Sequence, residues 1–419
     1  MSLDLAKIRA RFPALQREVV YLDNPGGTQV AQSVLDRMNT YLAHHNANHG
    51  GQFATSIESD AVLAEARQAA ADFLHASRPE EIVFGPNMTS LTFQISRSLA
   101  HWLQPGDEIA VTRLDHDANI TPWARIAEER GCTLRWVDFR PEDGTLDPDS
   151  LQTALEHKPR ILAFGFASNA LGTINHVEEI TQQAHEAGAL VYIDAVQYAP
   201  HGPIDVQALD CDFLVCSAYK FFGPHVGLLY GKYQHLAELP AYRVRPAPAD
   251  PPGKFETGTQ NHEGLAGMLG ALEYLTWVGE NWGEQYGEKF NGRYQGRALQ
   301  LKQAMVAIRS YEFELSRLLL DILEEIPGVT VYGLTDQRRL EERVPTFAFR
   351  LGDRPPADIA RALAQAGFNV WDGNYYALAV TERLEVEDKG GMVRVGPVHY
   401  NTLEELQGFG KALSEIAGR

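Results

Sequence analysis

The 419-residue chain carries 37 Lys and Arg against 55 Asp and Glu, a formal net charge of −18, with 44% hydrophobic and 22% charged residues. At about 100 to 200 residues per domain, that length predicts two or three compact units and excludes a fibre or a peptide. The charges are spread along the chain, which argues against a nucleic-acid or anionic-membrane partner and against long disorder.

The opening MSLDLAKIRARFPAL has charged residues among its apolar ones, and no run of about 18 apolar residues follows, so neither export nor membrane insertion is expected. Short apolar runs then alternate with amphipathic stretches: EIVFG at 81, DEIAVT at 107, TLRWVDF at 133, RILAFGFA at 160, LVYIDA at 190, DFLVCSA at 212 and GLLYG at 227. This alternation predicts an α/β unit with a mostly parallel sheet covered by helices on both faces. The unbroken apolarity of RILAFGFA and LVYIDA suits strands buried on both sides. PAPADPP, at 246–252, reads as a loop, and two long helical patterns follow between about Gly264 and Glu325. VTVYGL at 329, VPTFAFRL at 344, a helix from about Pro356 to Ala366, GMVRVGPV at 391 and a closing helix from about Thr402 predict a smaller α+β unit. The three cysteines, Cys132, Cys211 and Cys216, are too few and too irregularly spaced for a disulfide framework or a four-ligand zinc site, and fit a reducing cytoplasm.

In such sheets ligands bind beyond the carboxyl ends of the strands, so the residues just after each run are the candidates for chemistry. Lys220 follows DFLVCSA among apolar neighbours, where burial disfavours the ammonium and leaves an amine nucleophile; a surface lysine at a strand end is the plain alternative. Ser217 to Lys220 also spells the S-x-x-K of penicillin-binding enzymes, but the companion S-D-N and K-T-G are absent. LVYIDAVQ delivers Asp194 and Gln197; a carboxylate there suits a pyridinium nitrogen, or simply caps a helix. RILAFGFASN delivers Asn169 and IAVTRLDHDAN delivers His116, so four strand ends converge on one edge.

With these residues the chain resembles the class V aminotransferase-fold enzymes that depend on pyridoxal 5'-phosphate (PLP), nearest to cysteine desulfurases and selenocysteine lyases. The likeness runs from Tyr21-Leu22-Asp23 to Arg394 and His399-Tyr-Asn401-Thr402. It implies fold type I, with a mostly parallel seven-stranded sheet in a large PLP-binding domain (31–280), a smaller α+β domain (281–419) and an N-terminal segment (1–30) packed on the latter. It further implies that Lys220 carries the cofactor and shuttles the substrate's α-proton. Asp194 would hold the pyridine nitrogen, Gln197 and Asn169 the ring hydroxyl, and His116, preceded by Asp115, would stack on the ring. Thr89, with the amides of Asn87-Met88-Thr89 at a helix start, would bind the phosphate, which a helix N-terminus favours. Ser217 would add a hydroxyl and Tyr219, where desulfurases usually carry His, a phenol. Thr259 would reach the phosphate of a neighbouring subunit, implying a homodimer. Arg394 would grip the substrate carboxylate, which its planar fork suits, with a structural salt bridge as the alternative.

Desulfurases attack sulfur with a cysteine on a small-domain loop. The matching stretch here is Val370-Trp-Asp-Gly-Asn374-Tyr375-Tyr376-Ala377, with Tyr376 at the position of the thiol and Trp371 at that of an accompanying Arg. Neither a persulfide nor a sulfur-relay partner is therefore expected. Tyr376 becomes a candidate acid or base and Asn374 a candidate substrate contact, while Trp371, Tyr375 and Tyr376 either line an aromatic pocket or are simply packed. The expected activity is β-elimination at a C–S bond of a small amino acid, with an aminotransferase, an amino-acid epimerase, or a PLP-binding regulatory protein without turnover as alternatives.

Overall fold

The computed structural model describes residues 3–290 and 292–418. Its strands are β1 (Val20–Tyr21), β2 (Ile82–Gly85), β3 (Glu108–Thr112), β4 (Thr133–Val137), β5 (Ile161–Gly165), β6 (Leu190–Asp194), β7 (Phe213–Ser217), β8 (Gly227–Gly231), β9 (Val329–Tyr332), β10 (Phe347–Leu351), β11 (Phe368–Asn369), β12 (Trp371–Gly373) and β13 (Met392–Val395). The seven apolar runs between 81 and 231 form one seven-stranded sheet in the order β2-β8-β7-β6-β5-β3-β4. Strands β4, β3, β5, β6 and β7 run parallel, and β8 lies antiparallel between β7 and β2.

Neighbouring side chains on these strands enter different cores, which accounts for their unbroken apolarity. Leu162, Phe164, Val191, Ile193, Leu214 and Cys216 join the core that includes the helices Ala54–Leu74 and His262–Trp282. Ile161, Ala163, Tyr192, Phe213 and Val215 join the opposite core, with the helices Met88–Leu99 and Thr121–Arg130. Each fully buried aliphatic or Phe side chain contributes about 1.5–3 kcal/mol. A one-residue slip in register would exchange the two faces.

A second, antiparallel sheet has the order β12-β13-β10-β9 and packs against Gly296–Glu325, Pro356–Gln365 and Leu403–Ala417 through Leu319, Leu363 and Phe409. Thr402 starts the last of these helices with a reciprocal Thr402–Glu405 capping box. The N-terminal segment ties to the smaller unit: β1 pairs in parallel with β11 as a two-stranded sheet, Asp23 bridges to Gly396, and Arg9 Nη1 lies 2.8 Å from Glu405 Oε1. The side-chain amide of Asn24 donates to the carbonyls of Tyr21 and Gly396 at 3.0 and 2.8 Å, fixing the turn that follows β1. Among the described residues, no helix is long and apolar enough to cross a membrane.

Candidate active site

Parallel pairing sets Gly165 beside Asp194 and Asp194 beside Val215, so β5 and β6 end level with one another and β7 runs two residues further, to Ser217. Beyond those ends lies a cleft of about 670 Å³, with an inner recess reaching Asp194 and Gln197. Lys220, one turn past β7, is buried at the junction of cleft and recess, and its Nζ donates to the Pro25 carbonyl. Burial pulls its pKa down to about 7, helped by the positive charge of Arg394 and opposed by Asp194 and Asp23. Near neutral pH a large share of the residue therefore stands as the neutral amine that nucleophilic chemistry requires.

Burial raises the Asp194 carboxyl to about 6, against the pull of the Val196 N–H, which donates to Oδ1 at 2.9 Å, and of Lys220. His116 is held neutral: burial, then the charges of Lys220 and Arg394, push it down to about 3. Its Nδ1 accepts from the Ala118 N–H at 3.0 Å, so the other nitrogen carries the proton. Asp115, just before it, is wholly buried, accepting from Thr112 Oγ1 and from Asn119 Nδ2 at 2.9 Å, and burial raises its pKa to about 7.

Arg394 projects from β13 into the same cleft. Its Nη1 donates to the Asn169 carbonyl at 2.9 Å, its guanidinium lies 4.5 Å from the centre of the Tyr375 ring, and its Nε is buried without a partner. Asn169 Nδ2 donates to the Tyr375 carbonyl and Gln197 Nε2 to Thr346 Oγ1, each at 2.9 Å, and this leaves Asn169 Oδ1 and Gln197 Oε1 buried and open. At the start of the helix Met88–Leu99, the Met88 N–H donates to Ser217 Oγ at 3.1 Å and the Ser90 N–H to Asn87 Oδ1 at 2.9 Å. The N–H of Thr89 between them finds no acceptor among the described residues, and the Thr89 side chain lines the cleft. Gly227, where β8 begins, has no room for a Cβ, which would fall 2.5 Å from the Asn87 backbone; glycine lets the strand pass beneath this helix start.

Tyr219 lines both cleft and recess, with its ring packed over Gly27. Tyr376, with Trp371, stands at the mouth, 75% exposed, its ring stacked on His116 at 5.5 Å between centroids. Ser217 and Asn374 line neither cleft nor recess, Ser217 being fully buried beneath the helix start. Asn374 donates to Glu387 Oε1 at 3.1 Å and accepts from the Tyr376 N–H at 3.1 Å, anchoring the loop. Thr259 lies exposed on the surface. Sequence reasoning also missed Asp23, whose Oδ1 is buried without a partner beside Lys220 and Arg394. Its only signal was its place before the Gly-rich turn Asn24-Pro-Gly-Gly27, of which Pro25, Gly26 and Gly27 wall the cleft.

A buried lysine of lowered pKa after a central strand, a carboxylate at the neighbouring strand end and an open helix N-terminus on the same recess define a PLP-dependent enzyme of fold type I. The chain matches the aminotransferase class-V family over residues 20–409 and belongs to it. It is 33% identical to a cysteine desulfurase of Serratia proteamaculans, with 99% of each chain covered. It is likewise 33% identical to the aminotransferase-like protein FGM3 of Gibberella zeae, again with 99% of each covered. Among solved structures, the apo cysteine desulfurase of Thermococcus onnurineus superposes with a TM-score of 0.87 at 26% identity, covering 100% of this chain and 99% of that one. The Escherichia coli cysteine desulfurase CsdA gives 0.83 at 27% identity, covering 99% and 98%.

The cleft fits the family's cofactor on its own terms. Its open groups are an amine, a carboxylate, two amide oxygens suited to a hydroxyl donor, and a free helix-terminal N–H suited to phosphate.

Proposed function

We propose that this class V enzyme is a C–S lyase that eliminates the sulfur substituent of cysteine, cystine or a cysteine conjugate without a protein persulfide. One observation carries the reading: none of the three cysteines lines the cleft. Cys211 and Cys216 are buried in the core, where burial raises both thiols well above their usual pKa. Cys132 sits just before β4, its Sγ donating to the Gln104 carbonyl at 3.4 Å, and burial raises its pKa too. Where a nucleophilic thiol is expected stands Tyr376, which we assign as a wall of the pocket mouth.

PLP, when bound, supplies an electron sink that makes a substrate Cα–H acidic at neutral pH. In this reading Arg394 holds the substrate carboxylate, its open Nε adding to the fork. Lys220 Nζ would take the α-proton, Asp194 would hold the ring nitrogen and keep it protonated, and neutral His116 would pack against the ring. The Cα–H and Cβ–S bonds would break, the electron pair of the latter leaving with sulfur, which takes up a proton as hydrogen sulfide from cysteine, a thiol from a conjugate or a hydropersulfide from cystine, and water would release pyruvate and ammonia. The aromatic mouth formed by Trp371, Tyr375 and Tyr376 suits a larger or less polar substituent on sulfur. With no persulfide to hand on, no sulfur-relay partner is required. We further propose a homodimer in which the exposed Thr259 reaches the neighbouring subunit's phosphate.

The test is to incubate the PLP-loaded protein with L-cysteine and L-cystine and identify the carbon product by NMR. Catalytic pyruvate with ammonia, lost in Lys220→Ala, is expected; catalytic alanine would show sulfur removal by another route and overturn the reading. The similarity to an aminotransferase-like protein favours transamination as the second reading. Amino transfer to an added 2-oxo acid, in place of pyruvate formation, would decide for it.

A further inference from the structure

A cavity of about 390 Å³ lies apart from the cleft, between the helix Gly296–Glu325 and the segment 340–345 that leads into β10. Two of its polar lining residues are a buried pair: His201 Nδ1 meets Glu312 Oε2 at 2.7 Å, the residues being 3% and 1% exposed. Arg343, 4% exposed, also lines it. Its Nη1 donates to the Leu334 carbonyl, and its Nη2 to those of Leu171 and Thr346 at 3.1 and 2.6 Å, while Nε is buried with no partner. Carbonyls orient a guanidinium but do not balance its charge, and an unbalanced buried charge is costly. Burial alone pushes the Arg343 pKa down, to about 9, with no carboxylate offsetting it. Arg309 and Lys289 add two further cations to the lining, against the carboxylate of Glu341, and Val306, Phe313, Leu340 and Val344 give it an apolar part.

We propose that this cavity is a second ligand site that takes a small organic carboxylate, its charge set against Arg343 and Arg309 and its carbon skeleton against Phe313 and Val344. Two hydrogen-bonded links lead from the cavity towards the catalytic centre. Thr346, three residues after Arg343, accepts the side-chain amide of Gln197 at 2.9 Å. Glu312 Oε1 accepts the backbone N–H of His399, just beyond β13, at 3.0 Å. Occupancy is therefore expected to shift the absorbance of the bound cofactor as well.

Equilibrium dialysis with radiolabelled 2-oxobutyrate tests this on the PLP-loaded Arg394→Ala protein, in which the cleft has lost its own carboxylate grip. The expected result is binding that weakens at least tenfold when Ser310, an exposed lining residue, is changed to Trp, and about tenfold in Arg309→Gln. In the wild-type holoenzyme, more than one 2-oxobutyrate per chain, reduced to one by Ser310→Trp, would give the same reading. Binding indifferent to Ser310→Trp, no binding to the Arg394→Ala protein with a single site in the wild type, or binding of inorganic phosphate but not of 2-oxobutyrate would each overturn the proposal.

Discussion

Lys220 illustrates how one side chain is prepared by its surroundings. With its pKa near 7, the amine becomes nucleophilic as pH rises through that value. The rate at which the apoprotein takes up PLP, followed by absorbance, is therefore expected to climb between pH 6 and 8 and then level off. A rate that does not change over that range would contradict the burial argument. Arg394→Ala removes two charge-assisted hydrogen bonds worth about 1.5–3 kcal/mol each, so kcat/KM is expected to fall roughly 10²- to 10⁴-fold, mostly through KM. Arg394→Lys should recover only part of this, because an ammonium lacks the planar fork. At this scale the sequence announced the residues that end a strand, since strand ends converge by topology: Lys220, Asp194, Asn169 and His116 all meet. It was silent on Asp23 and Thr346, which arrive from distant segments and contact the site only through tertiary packing.

The strands of the larger sheet were legible because burial on both faces leaves an unbroken apolar run that few other environments tolerate. The loop from Val370 to Ala377 was not. Tyr375 and Tyr376 both have positive φ, 56° and 59°, a conformation unusual for aromatic residues and invisible in residue type. It is held by the Asp117 N–H donating to the Tyr376 carbonyl at 2.7 Å and by Asn374, and so the asparagine that seemed suited to substrate serves the loop. Tyr376→Phe keeps the ring on His116 and is expected to leave turnover within about twofold, because the side chain acts as a wall. Tyr376→Gly fits the backbone without strain, so the fold is expected to hold while KM for bulky S-substituted cysteines changes. A strong loss of turnover in Tyr376→Phe, with PLP still bound, would instead assign the phenol to proton transfer.

Across the whole molecule, buried charge links stability to pH. Lys302 lies 1% exposed between the Phe73 and Ile204 carbonyls, and burial lowers its pKa to about 7 despite Asp205 and Asp72. Between that value and the ordinary lysine value, the unfolded chain binds the proton that the folded chain has released. This site's destabilising contribution is thus complete below about pH 7 and fades as pH rises towards 10. Denaturant titrations of wild type and Lys302→Met at pH 7, 8.5 and 10 are expected to show the difference moving in favour of wild type with pH, by on the order of a few kcal/mol. A difference independent of pH would mean that the ammonium keeps its proton in the folded state.

The positive charge of Arg394, reaching Lys220 from the smaller sheet, has one more consequence. Before substrate arrives, that charge helps to keep the lysine deprotonated. In the proposed reaction a carboxylate bound to the guanidinium would cancel it, and Lys220 would become the stronger base at the moment an α-proton is within reach. Arg394 and Lys220 would thereby work as an electrostatic relay, in which occupancy at one end sets basicity at the other without any movement of the backbone.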